Sequence, residues 1–211
     1  MALPAEVEKV LASVRDRWPG ALIGAQDSAP ARLSPLKIHL RATGEDAAQF
    51  IHEKLGTTVS LRVGMLAYPP DAAAAPSDWI DGLPSFAESV SVASESRLTV
   101  RAGQATQSNL ILTNLTTSPI RLITNGVLDT VVLDPGTGQA VGSDYGPRRS
   151  KRLVLTLAPA ESRGIPAVVG AASRTPRLGY RLPTGNWAVV AVLHMDGVGK
   201  GRSGAIPIYV E

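Results

Sequence analysis

A chain of 211 residues has room for one large domain or two small ones, each able to bury a core. Hydrophobic residues at 44% and charged residues at 18% exclude global disorder, and the lack of cysteine excludes disulfides, thiolate metal sites and cysteine nucleophiles. The net charge of +3 hides a gradient: residues 1–68 carry +1, 69–96 carry −5 and 97–211 carry +7.

The first element reads as a helix. Val7, Val10, Leu11, Val14 and Trp18 form one apolar stripe, Pro4 suits the first turn, and Pro19-Gly20 ends the run. A short strand is expected over Ala21–Gln26. Leu36–Arg41 alternates apolar and polar residues, as a half-buried strand does. Thr43 is the expected N-cap of a second helix that turns Ala47, Phe50, Ile51 and Leu55 inward and stops at Gly56. Val59, Leu61, Val63 and Met65 alternate as a further strand. The order is α-β-β-α-β, an α+β domain over 1–68, with a right-handed crossover making its last two strands parallel.

Residues 69–96 change character. Prolines interrupt an Ala/Ser/Asp mixture with five acids and no bases, which reads as an acidic interdomain linker. Trp79, Ile80, Leu83 and Phe86 are unusually apolar for a free linker, so part of it is expected to pack on a domain. From Leu98 onward the pattern is all β. Strands are expected at Leu98–Arg101, Gln107–Leu115, Ile120–Thr124, Leu128–Leu133, Arg152–Leu157, Ser162–Val169, Trp187–His194 and Ala205–Val210, separated by turn residues. Short strands at this spacing over 97–211 suggest an immunoglobulin-like sandwich. At its centre, Asn114–Pro119 turns the chain between two strands, with Leu110, Leu112 and Asn114 on one face and Ile111 and Thr113 on the other.

Four pieces carry a family resemblance: Asn114 with Pro119; Asp134 with Gly136; Ala158-Pro159-Ala160-Glu161; and Pro183, Gly185 and Trp187. Their kind and order resemble bacterial Ig-like domains of the intracellular proteinase inhibitor (BsuPI) type. Ala160 stands where that family has glycine. The resemblance covers about half of the chain and implies an Ig-like sandwich. For function it implies an inhibitor-like protein, whose extended loop 135–150, with Arg148 and Arg149, enters a protease cleft. The first 96 residues have no counterpart in it.

Little in the chain points to catalysis. His39, His52 and His194 lack metal-ligand spacing, and no G-x-S-x-G elbow is present. Gly197-Val198-Gly199-Lys200-Gly201 fits a hairpin turn better than a phosphate loop, because Lys200 is followed by glycine and a strand. No catalytic residue, metal ligand or cofactor is expected. The longest apolar run, Trp187–Leu193, is too short to cross a membrane as a helix, and no signal peptide is visible. A cytoplasmic protein is expected, with an exported one lacking its leader as the alternative.

Basic residues are the candidate partner-binding groups. Arg148, Arg149, Lys151 and Arg152 form one cluster, and Arg174, Arg177 and Arg181 form a second in another long connection. Such loops suit an acidic protein surface, nucleic-acid phosphates, the protein's own acidic linker, or solvent alone. Only Tyr145 and Tyr180 lie near them for base stacking, which favours a protein partner over nucleic acid. The leading expectation is a non-enzymatic protein-binding module. The alternatives are a structural subunit that pairs through edge strands and a nucleic-acid-associated protein.

Overall fold

The structure is a computed structural model and describes residues 3–26, 35–71, 80, 82–144 and 152–211. The chain divides into two compact units. Unit 1 comprises Met1–Pro76 and Ser173–Arg181; unit 2 comprises Ser77–Ala172 and Leu182–Glu211.

In unit 1, helix α1 spans Ala5–Arg17 and strands β1 and β2 span Leu22–Gln26 and Leu36–Leu40. Helix α2 spans Glu45–Leu55, β3 Val59–Val63 and β4 Leu66–Tyr68. Glu6 and Glu8 open α1 and Arg15 and Arg17 close it, matching the helix dipole. The sheet order is β1-β2-β3-β4, with β2 and β3 parallel and the outer pairs antiparallel. Val7, Leu11 and Val14 of α1 and Ala47, Ile51 and Leu55 of α2 bury one cluster with Ile38, Leu40, Leu61 and Val63 of the sheet.

Two local expectations need correction. Gly44, not Thr43, caps α2, and no side chain bonds to that helix start. The chain first turns through a Gly44 N–H to Arg41 carbonyl bond of 2.9 Å, so the helix begins later. A Cβ at Gly44 would lie 3.1 Å from that carbonyl. Met65 is in a turn rather than a strand. Gly64 at φ 60 ends β3 and starts the hairpin to β4, which adds a strand to the expected order.

Unit 2 contains the remaining strands: β5 Val90–Ser94, β6 Leu98–Val100, β7 Ala105–Asn114, β8 Ile120–Thr124, β9 Leu128–Leu133 and β10 Ala140–Ser143. These are followed by β11 Leu153–Leu157, β12 Ser162–Gly170, the two-residue β13 Ala172–Ser173 at the junction of the units, β14 Gly185–Met195, β15 Gly199–Arg202 and β16 Ile206–Val210. The strands follow one hydrogen-bonded path, β11-β8-β14-β9-β12-β7-β5, in which β9 and β12 pair in parallel through Ala167↔Leu128 and Val168↔Asp129 and so join the two sides of the sandwich. One side is β5-β7-β12. The other runs β6-β16-β14-β9-β10, and the β6–β16 pair is parallel. The two successive strands β5 and β6 thus join different layers, and the later strands return to pair with earlier ones. This is the Greek-key order of an immunoglobulin-like β-sandwich. Inward residues such as Leu110, Leu112, Val189, Ala191, Leu193 and Ile208 are buried.

The central turn is built around one side chain. Asn114 is fully buried. Its Nδ2 donates to the Ser118 carbonyl at 2.9 Å and to the Leu157 carbonyl at 3.0 Å. Its Oδ1 accepts from Thr116 N–H at 2.9 Å and Thr116 Oγ1 at 2.8 Å. Its own backbone N–H donates to Glu161, and its carbonyl accepts from Ala160. The β7–β8 turn is thereby tied to the β11–β12 turn.

In that second turn, Ala160 sits at φ 58, a left-handed conformation that costs an L-residue about 1–2 kcal/mol. The Glu161 carboxylate accepts from Ala158 N–H at 2.8 Å and pairs with Arg163. The Ala158 N–H, then Arg163, hold the Glu161 carboxyl below its ordinary value. Ala160→Gly raises the stability of the sandwich by about 0.5–1 kcal/mol, because the steric cost it removes exceeds the extra unfolded-state entropy of glycine, which offsets part of the gain. An upward shift of the urea midpoint checks this.

The stretch 69–96 is not linker throughout. Ile80 and Phe86 are buried, and Val90–Ser94 is strand β5, pairing with β7 from Val90↔Asn114 to Ser94↔Leu110. Ile80 and Leu83 pack on Val131, Leu133 and Val190, the outward face of β9 and β14. Phe86 N–H donates to the Arg202 carbonyl and Arg202 N–H to the Pro84 carbonyl. The Phe86 ring lies against Gly201, where a Cβ would come within 2.4 Å of it. The acids and alanines that suggested a linker mask an alternating strand and three apolar anchors.

Candidate binding cleft

The expected cluster Arg148, Arg149 and Lys151 lies outside the described residues. Arg152 is described, immediately before β11, and lines a cleft in unit 2. The cleft arises where one long strand is broken into β8 and β9. Thr124 Oγ1 donates to the Val127 carbonyl at 3.2 Å and accepts from Gly126 N–H at 3.1 Å. Asn125 Oδ1 accepts from Val127 N–H at 3.0 Å, and Gly126 takes φ 95. These bonds satisfy the kink locally, so the backbone can leave the ladder without orphaned groups.

The register brings the lining side chains together. Val192 of β14 lies opposite Asp129 of β9 on one side and Arg202 of β15 on the other. His194 lies directly opposite Lys200. Opposed residues, and residues two apart along a strand, share a face. Asp129, Val192, His194 and Lys200 therefore line one outward face, while Leu193 points into the core and is 1% exposed. Further along the same face Ile80 and Leu83 cover Val190. At the β8–β9 kink the face is open, and a cavity of about 230 Å³ lies among Ile123, Val127, Leu128, Arg152 and the outward residues. Arg152 and Lys200 supply two fixed positive charges and Asp129 one negative charge. Among the described residues no carboxylate forms an ion pair with Arg152 or Lys200.

The second basic group is not part of this site. Arg174, Arg177 and Arg181 belong to unit 1, although the surrounding chain is sandwich. Tyr180 draws the segment there: it is 7% exposed within the unit 1 core, with its ring 5.9 Å from Tyr68. Arg174 is buried and presents no surface to a partner, which corrects its expected role. Arg177, in the short Pro176–Leu178 turn, and Arg181 are exposed. Burial holds the His39 imidazole below its ordinary value, and the positive charges of Arg62 and Lys37 act in the same direction. His52 makes an edge contact with Tyr68 at 5.7 Å. Among the described residues no group of three or more His, Asp or Glu is placed to hold a metal ion, and no helix is long and apolar enough to cross a membrane.

Sequence reasoning missed Asp129, His194 and Lys200 as site residues. The hairpin at Gly197–Gly201 was legible, and its register alone pairs His194 with Lys200. Their meeting with Arg152 depends on the kink between β8 and β9, which carries no hydrophobic period. A second groove, of about 610 Å³, lies between β5 and β16 and is mostly apolar. Arg97 on its rim has its guanidinium 4.9 Å from the Tyr209 ring centroid.

No protein-family model and no curated protein matches the chain. Solved structures overlap it weakly. A CARDB domain from Pyrococcus furiosus, in complex with di-metal ions, matches 64% of this chain and 98% of its own at 10% identity and a TM-score of 0.31. The CooA pilin subunit of enterotoxigenic Escherichia coli matches 58% of this chain and 97% of its own at 11% identity and a TM-score of 0.27. A β-glucosidase from Listeria innocua matches 57% of this chain at 10% identity and a TM-score of 0.31, but the match spans only 16% of that enzyme.

Proposed function

We propose that the protein is a non-enzymatic binding module that engages a protein partner through the basic end of its Ig-like sandwich. The observation that supports this reading is the convergence of Arg152, His194 and Lys200 on one open cleft, held by three different strands or their flanks. A rigid sandwich whose cleft cations Arg152 and Lys200 have no carboxylate partner among the described residues suits an acidic partner, for which opposite charge raises the association rate and sets the register. A proteinase-inhibitor-like action through Arg148 and Arg149 is one version of this reading, although the expected loop 135–150 is not extended throughout, because Ala140–Ser143 is strand β10 paired with β9. Trypsin-like proteases left fully active by excess protein eliminate that version.

The test is an affinity capture from host lysate, comparing the intact protein with a variant carrying Arg148→Glu, Arg149→Glu, Lys151→Glu and Arg152→Glu. A stoichiometric protein is expected on the first bait and absent from the second. Retention by both baits rejects the basic end. It would favour an assembly role through β5, an uncharged edge strand of sequence VSVAS beside the apolar groove. Recovery of nucleic acid alone, released by salt, would favour the phosphate-binding alternative.

A further inference from the structure

We infer that the cleft is a receptor for a single carboxylate, from an Asp or Glu side chain or from the chain end of a protein partner. This inference rests on the binding-module reading and specifies what its partner presents.

Three features select that ligand. The cavity of about 230 Å³ is below the roughly 300–1,000 Å³ of sites that enclose cofactors and drug-sized molecules, and it is the size of one side chain. Among the described lining residues the charged groups are two cations, Arg152 and Lys200, and one acid, Asp129, an excess of one formal positive charge. That excess matches a monovalent carboxylate better than a phosphate monoester, which carries about −1.5 to −2 near neutral pH. Finally, Val127, Leu128 and Val192 form apolar walls beside the charges. They can cover the methylenes of an acidic side chain and lower the local dielectric around its ion pair. Arg152 supplies a planar fork suited to bidentate carboxylate binding, and Lys200 a point charge across the hairpin from His194.

The experiment is an NMR titration of the intact protein with defined probes. The peptides are acetyl-Ala-Glu-Ala-amide, its Gln counterpart, and acetyl-Ala-Ala-Ala with a free carboxyl end. Inorganic phosphate is the fourth probe. Saturable shifts of the Asp129, His194 and Lys200 amides are expected with the Glu peptide or the free-ended peptide. Which of the two binds more tightly identifies the source of the carboxylate. The Gln peptide leaves the signals in place. Arg152→Gln and Lys200→Gln each weaken binding by roughly 1.5-fold to fivefold, the range of exposed charge pairs. Arg101→Gln, an exposed control that pairs with Glu211, has no effect.

Phosphate binding as tightly as the carboxylate peptides, equal response to the Gln peptide, or indifference to Arg152→Gln overturns the inference. Lysate capture with Arg152→Gln/Lys200→Gln separates the two levels. A partner kept by this variant but lost by the four-site charge reversal leaves the binding module standing and removes the carboxylate receptor. Specific carboxylate binding with no captured partner does the reverse.

Discussion

Asn114→Ala lowers the stability of the sandwich by roughly 3–5 kcal/mol, as much as truncating a large buried apolar side chain. The estimate follows from four side-chain hydrogen bonds at about 1 kcal/mol each, plus the cost of burying polar groups left without partners. The Leu157 carbonyl loses the amide that reaches it from Asn114, in a buried setting. Thr116 N–H and Oγ1 lose their shared acceptor. Thr116→Ala removes only the hydroxyl side of this network, whose bond to the Ser118 carbonyl is exposed, and costs about 1 kcal/mol. Urea midpoints read from the sandwich's own amide signals give both values. Equal, small losses for the two variants would show that the turn does not depend on Asn114.

Tyr180→Ala destabilises unit 1 by about 3–5 kcal/mol, as removal of a large buried aromatic does. The ring joins a cluster that includes Leu66 and Tyr68, yet it is supplied from more than a hundred residues further along the chain. Its hydroxyl is buried without a hydrogen-bond partner among the described residues. Burial, then the charges of Tyr68 and Glu45, push that phenol above its ordinary value. Tyr180→Phe therefore keeps the packing and removes an unsatisfied polar atom. It leaves stability unchanged or raises it by about 1 kcal/mol. Separate melting of amide signals in unit 1 and unit 2 measures this contrast. If Tyr180→Ala melts unit 2 and spares unit 1, the assignment of 173–181 to unit 1 is wrong.

The resemblance to the inhibitor-type Ig-like domains can be traced to turns with local physical jobs. Asn114 ties two turns together. Asp134 Oδ1 accepts from Gly136 N–H at 2.9 Å and Thr137 N–H at 3.2 Å. Trp187 Nε1 donates to the Pro183 carbonyl at 2.9 Å around Gly185, whose φ of 148 favours glycine. Such motifs are readable because most of their side-chain bonds span only a few residues; the Asn114 bond to the Leu157 carbonyl is the long-range exception. They carry information about the fold, and none of them lines the cleft.

The sequence by itself determined most elements of both units. Ile120–Thr124 and Leu128–Leu133 match the observed strands residue for residue, and the helix stripe through Val7, Leu11 and Val14 is the buried one. Period and turn chemistry are local, so they survive translation into structure. Tertiary structure alone decided three things. It made β5 from a stretch whose alternating valines were hidden among acids and serines. It gave Tyr180 and its neighbouring arginines to unit 1, because a large buried ring outweighs the chain's continuity with the sandwich. It also brought Arg152, His194 and Lys200 together, since cross-strand register and a strand kink set that distance and neither is written in the spacing of the residues.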